Sequence, residues 1–272
     1  MKQNRHIDIM GIVNLTDDSY FAQSRCPDAD EALRRVEKMV GEGADIIDIG
    51  ACSSRPGSAP VGADEEWRRL APVLKNVRRE FPDLQISVDT YWSEVVEKSY
   101  DLIGAFIVND ISAGEDDPRM LPVVGNLGLD YVAMHKRGTP STMQSMAVYD
   151  DVVAELVRYF RDFDLRARNA GVKTWILDPG FGFSKTVGQN YQILSSLSSL
   201  KTVSEPWGAP RILVGVSRKS MIYKPLGISP EDALPATQAV HMAALIGGAD
   251  MLRVHDVKEA RQTADLFLLQ FC

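Results

Sequence analysis

The 272-residue sequence has no run of about 18 apolar residues, so it carries no candidate membrane-spanning helix. Cysteine is scarce. Cys26, Cys52 and Cys272 are widely spaced, odd in number and form no C-x-x-C pair, which argues against a disulfide framework and against a thiolate zinc site. Positive charge is short as well: 30 Lys and Arg against 37 Asp and Glu leave a net charge of −7. That balance disfavours general binding to nucleic acid or to a membrane surface. It leaves room for a small anionic ligand, because a local cationic pocket can sit on an acidic body. The first residues lack the apolar core and the small-residue cleavage site of a signal peptide, so the expected location is cytoplasmic. The Asn14-Leu15-Thr16 sequon then has no bearing on glycosylation.

What is present is ordinary for a globular chain, with 45% hydrophobic and 25% charged residues. Short β-branched runs at 7–13, 45–49, 85–88, 105–108, 131–134, 174–177, 212–216 and 251–254 alternate with longer stretches of helical period. Amphipathic helices are expected at 30–40, 65–81, 93–100, 150–170, 187–200, 234–246 and 257–270, with a weaker one near 118–127. Strands apolar on both faces indicate a parallel sheet covered by helices. About eight strand–helix units in this length predict a (β/α)8 TIM barrel, a single domain over residues 1–272. An open doubly wound sheet would show a Gly-rich fingerprint after its first strand, and Met10-Gly11-Ile12-Val13-Asn14 has none. Two long loops, 16–28 and 51–62, follow the first two strands and are candidates for function.

In a barrel the active site lies at the C-terminal ends of the strands. The residues there are Asn14, Asp48, Gly50, Asp89, Asn109, Asp110, Met134, His135, Asp178, Lys219, Arg253 and His255. Each has a plainer reading. Asp89 before a helix could be an N-cap, and Asp178-Pro179 could be a turn. Asn109-Asp110 could close a strand. His135 and His255 could be hydrogen-bonded core histidines. Arg218 and Lys219 could be a solvated surface pair. Polar residues recurring at the same point of successive units are harder to explain that way, since burying them together costs free energy unless they pair or meet a ligand.

Among the local strings, Gly180-Phe181-Gly182-Phe183-Ser184-Lys185-Thr186 is not a P-loop, because Ser184 stands where a Gly must precede the Lys. Its glycines suit a close backbone approach to a flat ligand, with Phe183 as an apolar wall. Gly215-Val216-Ser217-Arg218-Lys219-Ser220 is not a nucleophile elbow, since no Gly follows Ser217 at the required place.

These strings together resemble the dihydropteroate synthase family of pterin-binding TIM barrels. The likeness also rests on Met10 to Thr16, Asp48-Ile49-Gly50 with Ser54-Arg55-Pro56-Gly57, Ser87-Val88-Asp89-Thr90, Val108 to Ser112, Met134 to Pro140, and Arg253-Val254-His255-Asp256. It implies a homodimer that joins dihydropterin-methyl pyrophosphate to p-aminobenzoate, releasing pyrophosphate and forming dihydropteroate. By resemblance Asp89, Asn109, Asp178 and Lys219 form the pterin pocket, with Gly215 beside it, Arg253 over the ring and Ile12, Ile111, Met134 and Phe183 as walls. A carboxylate such as Asp178 suits the paired amino and ring N–H of a pterin. The resemblance places pyrophosphate on Asn14, Arg253 and His255, with Mg2+ held by Asn14 and phosphate oxygens. It places p-aminobenzoate against Ser54, Arg55, Pro56, Phe183, Lys219 and Ser220.

The implied mechanism is dissociative. The leaving pyrophosphate is stabilised by cations, the pterin methylene develops positive charge near Asp89, and the arylamine attacks. No protein nucleophile is needed. Asp17, Tyr20 and Ala22 depart from the family's usual Pro, Phe and Asp, and Ala51-Cys52 stands where Gly-Glu is common. Two other readings are a folate-dependent methyltransferase of the related barrels and a non-catalytic pterin-binding paralogue. Asn14, Arg253, His255 and the Arg55 loop argue against methyl transfer, which needs no pyrophosphate site.

Overall fold

The period-2 pattern inside each apolar run decides the architecture. In Ile46-Ile47-Asp48-Ile49-Gly50, Ile47 and Ile49 join the large core between sheet and helices, while Ile46 joins a separate cluster with Met10, Ile107, Val132, Ile176, Leu213 and Met251. That second cluster is the plug inside a closed barrel of eight parallel strands in sequential order. The computed structural model describes residues 5–15, 29–52, 61–139 and 141–271.

The strands are β1 (Asp8–Asn14), β2 (Ile46–Gly50), β3 (Gln85–Asp89), β4 (Ile107–Asp110), β5 (Asp130–Met134), β6 (Trp175–Asp178), β7 (Arg211–Val214) and β8 (Met251–Val254). Around them lie α1 (Ala29–Gly41), α2 (Ala63–Glu80), α3 (Ser93–Ile103), α4 (Met120–Leu127), α5 (Val152–Asn169), α6 (Val187–Ser195), α7 (Ser220–Leu226), α8 (Leu234–Ile246) and α9 (Val257–Phe271). β1 pairs with both β2 and β8, which closes the barrel and removes any free sheet edge. Among the described residues no helix is long and apolar enough to cross a membrane.

All eight expected strands form. The expected helix over 187–200 is split into α6 and a 3-10 turn, Leu197–Thr202. The Ser195 hydroxyl donates back to the Tyr191 carbonyl at 2.9 Å, and the serines around it are poor helix formers. The short α7, which includes Pro225, had no counterpart among the expected helices.

Position within the barrel follows from counting two residues beyond each plug residue. Ile46 leads to Asp48, Ile107 to Asn109, Val132 to Met134, Ile176 to Asp178, Leu213 to Gly215 and Met251 to Arg253. Side chains two apart on a strand share a face, so these residues form the next layer up, at the C-terminal mouth.

Candidate active site

A fully buried carboxylate organises the mouth. Asp48 is 0% exposed. It accepts hydrogen bonds from the Ser87 hydroxyl (2.6 Å), the Asn109 amide (3.1 Å) and Arg253 Nε (2.7 Å). Arg253 also donates from Nη2 to Asp89 at 2.7 Å. One guanidinium thus ties β8 to β2 and β3 across the cup. The two adjacent carboxylates hold its proton firmly against the cost of burial, raising its pKa above the usual Arg value.

Asp89 is no helix cap. The residue capping α3 is Trp92, which makes no side-chain cap bond. Burial raises the Asp89 pKa, opposed by Arg253, while Asp48, Asp110 and Asp178 push it further up. Burial, more than the neighbouring carboxylates, disfavours its ionised form, and Arg253 is the cation that holds it. Asp178 makes the turn of its plainer reading and also borders the cup. Its Oδ1 accepts from the Gly180 N–H at 2.8 Å in a tight turn, while Oδ2 lies toward Gly215 and Lys219 in the cup. Burial raises the Asp178 pKa, and Lys219 is the leading opposing influence.

Lys219 donates to the Phe181 carbonyl at 2.7 Å and lies 4.9 Å from the centre of the Phe183 ring. Burial lowers its pKa to about 8, against the pull of Asp178. The surface-pair reading fails for both cations. Arg218 is buried, and its guanidinium donates to both Asp256 oxygens and to the Pro230 and Glu231 carbonyls. Asn109 and Asp110 divide their roles. Asn109 faces the cup, while Asp110 closes the strand by accepting from Ser112, Gly114 and Tyr131.

His135 is a core histidine, 1% exposed, with Nδ1 3.0 Å from Lys185 Nζ and its pKa pushed down to about 2 by burial and then by Lys185. Its neutral ring accepts at Nδ1. His255 is half-buried just beyond β8, and its pKa falls to about 3 through burial and the nearby Arg253, Arg35, Arg218 and Lys219. Asn14 ends β1 opposite Gly50. Ile12 and Met134 are buried, Ile111 and Phe183 half-buried, and Ser220 begins α7. Ser54, Arg55, Pro56, Asp17, Tyr20 and Ala22 lie outside the described residues, as does most of each long loop.

Gly215 keeps the cup open. A Cβ built there would lie 3.8 Å from Arg253 Cβ and 4.0 Å from both Asp178 Oδ2 and Lys219 Nζ. A branched side chain would enter the space those groups border. Gly215→Val is expected to weaken ligand binding in the cup by about 1–3 kcal/mol, roughly 5- to 150-fold. Melting should shift by only a few degrees; ligand titration beside a thermal melt checks both.

Sequence reasoning assigned no role in this network to Asp48 or Ser87. The signal for Asp48 was available: one charge within Ile46-Ile47-Asp48-Ile49 must be buried, and a buried charge needs partners.

Known proteins match this chain in sequence and in fold. The family model described as "Pterin binding enzyme" covers residues 10–255. A dihydropteroate synthase from Escherichia coli K12 is 40% identical over 256 residues, 93% of this chain and 88% of the relative. The Yersinia pestis dihydropteroate synthase, solved with a sulfonamide drug, superposes with a TM-score of 0.90 at 35% identity, covering 97% of this chain and 94% of the other. The Thermus thermophilus dihydropteroate synthase, solved with 4-aminobenzoate, gives a TM-score of 0.85 at 36% identity, with 98% and 95% coverage.

Proposed function

The chain belongs to the pterin-binding enzyme family, and within it to the dihydropteroate synthases, and on that premise we propose how the barrel mouth divides the work. The reaction joins 6-hydroxymethyl-7,8-dihydropterin pyrophosphate to p-aminobenzoate, giving 7,8-dihydropteroate and pyrophosphate. The observation that carries the assignment of roles is the convergence of Asp48, Asp89, Asn109, Asp178, Lys219 and Arg253 on one cup.

Asp178 Oδ2 accepts the paired amino and ring N–H of the pterin, and Asn109 meets the neighbouring ring nitrogens. Lys219 donates to the ring carbonyl and N5. Arg253, held by Asp48 and Asp89, lies along the ring and toward the pyrophosphate. Ile12, Ile111, Met134 and Phe183 wall the site, and the bare Gly215 admits the ring. His255 and Arg253 receive the pyrophosphate. The fit to Mg2+ rests on donor chemistry. Asn14 offers a single neutral oxygen at the rim, and Mg2+ commonly takes few protein ligands beside phosphates and waters. Asn14 would hold the ion, which supplies charge neutralisation at the departing pyrophosphate.

Asp89 acts on the reacting carbon. Its carboxylate is buried and shares one guanidinium with Asp48, so its negative charge is only partly met. A cation forming on the pterin methylene gives the ionised carboxylate a further partner, so it favours the transition state over the ground state. The amine of p-aminobenzoate then attacks, with Ser54, Arg55, Pro56, Phe183, Lys219 and Ser220 shaping its site. Competitive inhibition by sulfonamides is expected at that site. A homodimer and a cytoplasmic location complete the proposal. Val187, Tyr191, Leu226 and Ile246 on α6, α7 and α8 expose apolar surface for a second copy.

The relatives named above are all dihydropteroate synthases, which favours condensation over methyl transfer. The direct test incubates the protein with both substrates and Mg2+ and measures dihydropteroate and pyrophosphate in equal amounts. Pterin binding without turnover would favour a non-catalytic paralogue.

The pH dependence of kcat/KM for the pterin substrate reports the free enzyme. Lys219 must carry its proton, and its pKa is lowered to about 8, so activity should fall as pH rises through 8 rather than near 10. On the acid side Asp178 and Asp89 must both be ionised, and burial raises both pKa values, that of Asp89 to about 7, so that limb should lie above the usual aspartate range. Lys219→Arg should abolish the limb near pH 8, because guanidinium does not titrate there. A limb left in place would assign it to another group.

A further inference from the structure

The turn that carries Phe183 is held from two sides by two lysines, and only one of them faces the cup. Lys185 is 3% exposed and lies behind the turn. Its ammonium donates to the carbonyls of Phe183 (2.9 Å) and Gly180 (3.0 Å) and to His135 Nδ1 (3.0 Å), with the His135 carbonyl farther off at 3.4 Å. An ammonium has three hydrogens and accepts nothing, so it suits this cluster of acceptors as no neutral side chain of its length does. The turn needs such a nail because its backbone is unusual. Gly180, Gly182 and Ser184 all have positive φ, and a Cβ at Gly180 would lie 2.0 Å from the His135 carbonyl. Other ties complete it: the Gly182 N–H donates to Asn190 at 2.8 Å, and the Arg137 N–H donates to the Ser184 hydroxyl at 2.9 Å. The carbonyl of Phe181, between the peptides that Lys185 grips, is the one that receives Lys219 at 2.7 Å.

We infer that Lys185 is a positioning residue for the reaction: by gripping the Gly180 and Phe183 carbonyls it sets where the Phe181 carbonyl meets Lys219 and where the Phe183 ring stands. It acts through Lys219 and Phe183 by geometry, and its charge also bears on Asp178. The inference rests on the placement of those two residues in the pterin site proposed above. A buried lysine serving stability alone would leave the cup unchanged once the protein is folded. Displacements of about 1 Å at a reacting centre can cost roughly 100-fold, so even a small relaxation of the turn is measurable.

The test uses the full chain with Lys185→Met, which keeps the length and loses the donors, and Lys185→Gln, which keeps two donors without the charge. Wild type is assayed in parallel, so that failure of the wild-type reaction would count against the functional assignment and not against Lys185. Thermal melting reports folding, and initial rates give kcat and each KM. The expected result for folded Lys185→Met is a pterin-pyrophosphate KM raised roughly tenfold or more with kcat lowered, and weaker binding of free pterin by fluorescence. Lys185→Gln should lie between it and wild type. A lower melting temperature with unchanged pterin KM, kcat and pterin affinity would overturn the inference and leave Lys185 as a stabilising residue only. Should Lys185→Met fail to fold, Lys185→Gln decides by the same readouts, wild-type values again overturning the inference.

Discussion

Asp178→Asn is expected to weaken pterin binding by about 3 kcal/mol or more, roughly 100-fold or greater. The reason lies in how the residue is divided. Oδ1 is taken by the Gly180 N–H at 2.8 Å, and that donor will claim the carbonyl oxygen of an asparagine too. The amide nitrogen is then turned into the cup, so a donor faces the donors of the pterin edge. A charge-assisted pair of hydrogen bonds is lost and the buried polar groups are left opposed. Lys219 loses its main counter-charge as well, so its pKa should drop below about 8 and fewer molecules will carry the ammonium at neutral pH. The turn survives, so the melting temperature should change little. Calorimetric titration with pterin beside a thermal melt separates the two quantities, and wild-type affinity would remove Asp178 from the pocket.

The largest effect on stability is expected at Asp48. Replacing it by Asn leaves the shape but presents an amide to the guanidinium of Arg253, the hydroxyl of Ser87 and the amide of Asn109. Breaking a buried pair by removing one partner costs about 3–5 kcal/mol, because the other charge stays buried and under-compensated. Part of that will be recovered as Arg253 leans on Asp89, so about 3 kcal/mol is the working expectation. Urea denaturation measures it. In the double variant Asp48→Asn with Arg253→Met the loss should be smaller than the sum of the single losses, since the guanidinium that Asp48→Asn leaves under-compensated is gone, although Asp89 then loses its partner. Additive losses would mean that the two side chains stabilise the barrel independently.

Much of the cup could be read before any coordinates. Its residues lie at strand ends, and the barrel rule sends strand ends to one mouth. Asp89, Asn109, Asp178, Lys219 and Arg253 were all nameable on that ground, and the resemblance gave them a ligand. The division of labour was not nameable. Asn109 and Asp110 are adjacent and alike in polarity, yet one enters the cup and the other accepts four hydrogen bonds that close the strand. Arg218 and Lys219 are adjacent cations, and one is a buried tie to Asp256 while the other faces Asp178. Lys185 belongs to a string that fails the phosphate-loop pattern and drew no role of its own, and in the fold it grips the underside of a turn.

The amino-acid order alone determined the strand–helix alternation, the count of eight units and the layer each inward residue occupies, because those follow from periods of 2 and 3.6 and from the burial of apolar side chains. The fold alone decided which polar groups became partners. Arg253 bonds Asp48 across 205 positions and Asp89 across 164. No local pattern encodes such a pairing; it exists only once the sheet has closed on itself and brought β8 next to β1.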